Sequence, residues 1–127
     1  VKVFDASALL AALGQEVGAE VVAAELSTRD AVVSSVNYTE VLTKLIDRGL
    51  TALQAQEAWQ YLGVSVHTVD ESLAFLAAGL RPASRALGLS LADRCCLALA
   101  QRLGDARVIT ADRAWADLPG FQITLIR

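Results

Sequence analysis

Short β-branched runs alternate with Ala- and Leu-rich stretches from one end of the chain to the other, and this alternation limits the fold more than any other feature. Val1–Asp5 has the every-second-residue pattern of a strand and ends on an acid. Ala6–Leu13 reads as a helix stopped by Gly14, and Gly18–Leu26 as a second helix. Ala31–Ser34 is a short apolar run of the kind buried in a parallel sheet. Ser35 can cap a helix running to about Arg48, with Gly49 as the stop. Thr51-Ala-Leu-Gln54 has the form of a capping box and opens a helix to Leu62.

The second half repeats the scheme. Val64–Val69 reads as a third strand, and Asp70 can cap a helix over Glu71–Leu80. Pro82 marks a break before a short helix to Leu87. Ser90-Leu-Ala-Asp93 has a second capping-box pattern, for a helix through Leu103 that Gly104 closes. Arg107–Thr110 reads as a fourth strand, Arg113–Asp117 as one helical turn and Gln122–Ile126 as a last strand. Parallel strands need long crossovers, and the helices supply them. The expected fold class is therefore α/β: three layers, α/β/α, around a central, mostly parallel four- to five-stranded sheet. No repeat or Pro/Gly/Ser-rich linker interrupts the pattern, and 127 residues suit one domain over 1–127. At this length the expected folded surface is roughly 6,500 Å², small enough to leave a core without metal or disulfide staples.

Composition narrows the class. With 54% hydrophobic and 20% charged residues, the chain is no disordered segment. No apolar run reaches the ~18 residues of a membrane span, and residues 1–10 lack the basic start of a signal peptide. Cys95 and Cys96 are adjacent and form no disulfide framework. A cytoplasmic protein with no membrane partner is the expectation. The net charge of −3 hides an asymmetry: residues 1–80 carry four basic and ten acidic side chains, residues 81–127 seven arginines and four aspartates. Arginine forks suit phosphate, so the second half is a candidate RNA-binding face, the alternative being an ordinary solvated surface.

In open parallel sheets ligands bind beyond the carboxyl ends of the strands, where the strand order reverses. Asp5 closes the first strand, and Asp112 follows the fourth. Glu40 lies early in the helix after the second strand, and Asp93 in the first turn of the helix before the fourth. Each of the last three has an ordinary reading as a cap, a helix-dipole partner or a turn residue. Asp5 is different, because an acid set between an apolar strand and Ala6-Ser7-Ala8-Leu9-Leu10 is expected to be buried, where an unpaired charge is costly.

Val3-Phe-Asp5-Ala-Ser7-Ala-Leu, Asn37-Tyr-Thr-Glu40-Val, Leu89-Ser-Leu-Ala-Asp93-Arg and Ile109-Thr110-Ala-Asp112-Arg-Ala-Trp115 together resemble the four motifs of PIN-domain ribonucleases, in particular the VapC toxins of bacterial toxin–antitoxin pairs. The resemblance runs along the whole chain. It implies a PIN-like fold and a metal-dependent endoribonuclease in which Asp5, Glu40, Asp93 and Asp112 occupy the acidic metal-site positions. Ser7 and Thr110 match the polar supporting positions, whereas Arg94 stands where many members have a small residue. Carboxylates are hard ligands suited to Mg²⁺ or Mn²⁺, and converging acids cannot all stay ionised without a cation. Asp5 and Asp93 are the expected direct ligands, Asp112 is a ligand or a group supporting them from behind, and Glu40 binds metal or orients the attacking water. Arg81, Arg85, Arg94 and Arg113 are candidates for phosphate contacts. The implied partners are RNA as substrate and a VapB-type antitoxin, with DNA reached only through the antitoxin. A homodimer, or a heterotetramer or larger assembly with the antitoxin, is expected, and the helices over 38–62 are candidates for those contacts.

Two other functions compete. A catalytically inactive PIN-like regulatory module would use the same acids to bind a basic partner segment. A phosphoacceptor domain using Asp5 as nucleophile lacks both a neighbouring Asp-x-Asp pair and a strand-end lysine. Other residues attract plainer readings. The lone His67 cannot build a His-based zinc site, and Cys95 and Cys96 belong to an apolar helical stripe. Ser7 has no Gly-x-Ser-x-Gly elbow to make a triad with His67. Trp59, Tyr61 and Trp115 suit burial or an interface as well as base stacking. The glycines form neither a dinucleotide nor a Walker loop.

Overall fold

A computed structural model describes residues 1–127. The strands are β1 (Lys2–Phe4), β2 (Ala31–Ser34), β3 (Ser65–His67), β4 (Arg107–Thr110) and β5 (Gln122–Leu125). They form one sheet in the order β3-β2-β1-β4-β5, and every pairing is parallel. The expected sheet was mostly parallel with four or five strands; the observed one is wholly parallel with five. Its accessible surface is 6,699 Å², close to the size-scaling expectation.

Seven helices connect the strands: α1 (Ala6–Leu13), α2 (Ala19–Leu26), α3 (Ser35–Asp47), α4 (Ala52–Gln60), α5 (Glu71–Gly79), α6 (Arg81–Ser84) and α7 (Leu91–Leu103). Strand alternation divides the core into two layers. Val3, Val32 and Val108 face α5 and α7, while Phe4, Val33 and Ile109 face α1 to α4. This is the three-layer α/β/α arrangement expected from the alternating elements.

Local chemistry explains the helix starts. Thr51 and Ser90 both close full capping boxes, with Gln54 and Asp93 as the reciprocal partners. Asp70 caps α5 by accepting the Leu73 N–H. The cap of α3 is Ser34, not the expected Ser35. Ser34 keeps an extended backbone at the end of β2 and accepts the Asn37 N–H, so strand passes to helix with no loop. Ser35 is already helical, and its hydroxyl accepts the Val69 N–H. Pro82 sits in the first turn of α6, where its missing N–H costs nothing, and the expected helix to Leu87 finishes as a 3-10 turn over Arg85–Leu87. Gly18 has φ +97°, and a Cβ there would stand 2.6 Å from the Ile126 carbonyl oxygen. Only glycine lets the α1–α2 turn lie this close to the end of β5.

Candidate active site

The chain runs from β1 outward to β2 and β3, then returns to place β4 on the other side of β1. The strand order therefore reverses between β1 and β4, and residues leaving those two strands flank a shared crevice. Asp5 follows β1 and Thr110 ends β4.

Asp5 occupies the N-cap position of α1 yet makes no side-chain cap. Its Oδ2 instead accepts the Ser7 hydroxyl at 2.6 Å and the Thr110 hydroxyl at 2.9 Å. Each hydroxyl also accepts a backbone N–H, Ser7 from Ala111 and Thr110 from Asp112, both at 3.0 Å. The two side chains thus tie the exit of β4 to the acid that closes β1. Oδ1 receives no hydrogen bond from the protein and is not fully occluded, so it remains available to a ligand. Asp5 is only 5% exposed. Burial pushes its carboxyl up to about 6, against the pull of the two hydroxyls and helped by the charges of Asp93 and Glu40.

Glu40 lies one helical turn into α3 and is half-buried. Burial and the Asp93 charge push its carboxyl up, while the Asn37 amide beside it pulls the other way. Asp93 lies at the start of α7, where its Oδ2 accepts the Ser90 N–H at 2.8 Å. Asp112 is exposed and accepts the Ala114 N–H at 3.0 Å through Oδ1, capping the 3-10 turn Arg113–Trp115. Asp5, Glu40 and Asp93 thus share one electrostatic environment. The Asp112 backbone is tied to the same strand exit by its N–H bond to Thr110. None of the four forms an ion pair; the seven in the chain use Glu16, Glu25, Asp30 and Asp70.

The donor set suits a hard divalent cation in type, since each of Asp5, Asp93 and Asp112 has one oxygen free of protein hydrogen bonds. The side chains do not form a closed cage, because no group of three Asp, Glu, His or Cys side chains stands where it could hold an ion alone. A divalent ion here would need ligands beyond these side chains, such as waters and substrate oxygens.

One organising residue escaped the reading of the sequence. Asn37 is fully buried and donates Nδ2 to the Ala92 carbonyl at 3.0 Å, so it braces the start of α3 against the start of α7. The same amide lies beside Glu40, so it links the helix that carries Glu40 to the one that carries Asp93. Asn37 heads the second of the four motifs, three residues before the acid, but that place gave no sign of its bracing role. Arg94 turns away, its Nη1 donating to the Ala77 carbonyl at 3.1 Å at the far end of α5. Arg81, Arg85 and Arg113 are exposed and unpaired. Cys96 is wholly buried beneath the acids with its thiol pushed well up, and burial pushes Cys95 up too, so both pack the core. Trp59 and Trp115 are also core residues, leaving Tyr61, 91% exposed, as the one accessible aromatic of the three.

An all-parallel α/β sheet with carboxylates gathered where its strand order reverses defines a domain whose candidate ligand site is this acidic crevice. The chain belongs to the PIN domain family, whose pattern it matches over residues 2–120. PIN domains are generally nucleases. Among solved structures, the fold is similar to a chain of a toxin–antitoxin complex from Klebsiella pneumoniae, with a TM-score of 0.76 at 22% identity over 100% of this chain and 98% of that one. It is also similar to a chain of DNA-bound VapBC from Salmonella typhimurium, with a TM-score of 0.73 at 16% identity over 98% and 96% of the two chains. No curated protein matches the sequence. No helix is long and apolar enough to cross a membrane.

Proposed function

We propose that the chain is a divalent-metal-dependent endoribonuclease and the toxin half of a toxin–antitoxin pair, with residues 1–127 acting as one domain. One observation carries this reading: the Asp93 charge reaches both Asp5 and Glu40, whose carboxyls burial pushes up, and no basic side chain of the chain forms an ion pair with any of the three. Mg²⁺ or Mn²⁺ suits that charge, and when bound it supplies positive charge to a phosphodiester and acidifies a water. Asp5, through its free Oδ1, is the first proposed ligand, Asp93 and Asp112 are the further candidates, and waters or substrate oxygens complete the set. Ser7 and Thr110 hold Asp5 in one orientation. Glu40, half-buried and raised, is the proposed group that orients the attacking water and takes its proton. Water adds to phosphorus, and the bond to the leaving ribose oxygen breaks. Arg81, Arg85 and Arg113 are proposed phosphate contacts; Arg94 has the weakest claim, being bonded to Ala77.

The toxin role is supported by the two similar complexes, one of them bound to DNA. The proposed partner is a VapB-type antitoxin that inserts a basic side chain among the acids and carries the DNA contact itself. Ile46, Leu53 and Tyr61 are exposed along α3 and α4 and form the proposed face for the antitoxin or a homodimer. Purified protein with single-stranded RNA and Mg²⁺ tests the reading. Cleavage that stops with chelator and with Asp5→Asn is the expected result.

A second reading has support in the capping roles of Asp93 and Asp112, each of which spends one oxygen on a helix end. On that reading the domain is an inactive regulatory module whose acids bind a basic segment. RNA left intact in Mg²⁺, with tight binding of the basic segment, would favour it.

A further inference from the structure

A positively charged shelf lies beside the acids. Arg113 and Arg127 line an open surface pocket with Glu16, Val17 and Ala111. Ala111 joins the shelf to the crevice, since it sits between Thr110 and Asp112 and donates its N–H to Ser7. The close approach at Gly18 brings the α1–α2 turn, and with it Glu16 and Val17, against the end of β5. There Arg127 donates to the Val17 carbonyl at 2.8 Å and stands 3.8 Å from Glu16, which Arg48 approaches to 3.6 Å. Arg113 has no ion pair. Two guanidinium groups therefore share one carboxylate, and a third, unpaired, lines the same pocket, in a chain whose net charge is −3.

We infer that this shelf is a phosphodiester-binding subsite, in which Arg113 and Arg127 grip the single-stranded RNA backbone immediately beside the bond presented to the acids. The inference rests on the nuclease reading for what the acids do, but the binding it assigns does not require cleavage. Guanidinium forks match phosphate oxygens and stay charged at any working pH. An acidic crevice alone repels a polyanion, and adjacent cations offset that repulsion. Val17, 75% exposed, adds apolar surface against which a ribose or base can rest. Continuity with the crevice through Ala111 favours an occupant that both sites engage, which an acidic polypeptide is not.

The test uses the full chain in chelator with a fluorescein-labelled, mixed-sequence, single-stranded RNA of about 20 nucleotides. In the Arg113→Gln/Arg127→Gln double variant, affinity falls roughly tenfold and the slope of log K against log salt flattens by about 1.4, as two phosphate contacts are lost. Glu16→Gln supplies an arm that misfolding cannot imitate: it frees the guanidinium groups and tightens RNA binding. Unchanged affinity and slope in the double variant, or no tightening with Glu16→Gln, overturns the subsite. So does loss of binding to a poly-aspartate peptide with RNA binding intact, which assigns the shelf to an acidic partner. Wild-type protein that binds RNA through the shelf yet cuts nothing in Mg²⁺ supports the subsite and refutes the nuclease reading.

Discussion

Thr110 closes β4 and donates its hydroxyl to Asp5 Oδ2 at 2.9 Å, joining residues 105 positions apart where the strand order reverses. The same hydroxyl accepts the Asp112 N–H, so one side chain supports both the acid and the following turn. Thr110→Val keeps the shape and removes both bonds. Asp5 then titrates above its present value of about 6, because a bond that favours the charged carboxylate is gone. Orphaning a buried partner costs about 1–3 kcal/mol of stability. Carboxyl NMR titration and denaturant unfolding read the two effects; an unmoved Asp5 titration would refute the assignment.

Asp5→Asn should trade function for stability. Burial holds the carboxyl at about 6 against an ordinary 3.8, so between those values the folded chain binds more protons than the unfolded one. This group's stabilising contribution is therefore complete below about 3.8 and is lost as pH rises through about 6. At neutral pH the loss is about 3 kcal/mol. Asparagine can accept from Ser7 and Thr110 through its oxygen without ever ionising. In chelator at pH 7 the variant unfolds at higher denaturant than wild type, and the gap closes near pH 4. Adding Mg²⁺ stabilises wild type and leaves the variant behind.

Removing the strut beneath the acids tests how they are held. Asn37→Ala leaves the Ala92 carbonyl and the Ser34 hydroxyl without their amide partner, at a cost of about 2–3 kcal/mol. Glu40 also loses the neighbour that draws its titration down, so its carboxyl rises further. Denaturant melts and a carboxyl titration check the pair of effects. A stability loss with Glu40 unmoved would leave Asn37 a purely structural residue.

The opposite end of the sheet supplies a prediction independent of the crevice. Lys2 is buried at the start of β1, where Nζ stands 2.9 Å from Glu25 Oε2 and donates to the Glu25 carbonyl and the Thr28 hydroxyl. Arg107 meets the same Glu25 carboxylate at 2.7 Å from the start of β4. The two cations hold that carboxyl below its usual range. Lys2→Met costs about 2 kcal/mol by leaving Glu25 half-compensated. Denaturant unfolding measures the loss, and the Asp5 titration stays where it is in wild type.

Much of this protein can be read from neighbouring residues. Thr51 with Gln54, and Ser90 with Asp93, announce helix starts that form as capping boxes, because a cap depends on atoms three positions apart. The β-branched runs identify the strands, and the continuous apolar character of the central ones, buried on both faces, signals parallel pairing. The start of α3 was misplaced by one residue, since Ser34 and Ser35 are equally good caps and only the end of β2 decides between them. Arg94 looked like a phosphate contact from its place after Asp93, yet a helical residue's direction depends on what packs beside it, and α5 took this one.

The chain's own order of residues determined its elements, its layered class and the four acids at strand exits and helix entrances, because those features arise from local periodicity and capping. Tertiary structure decided which acids act together. It set Asp5 against Ser7 and Thr110, braced Glu40 and Asp93 through Asn37, and left Asp112 at the rim. Those outcomes depend on strand order and burial, and both come from contacts between residues far apart in the chain, which no local pattern encodes.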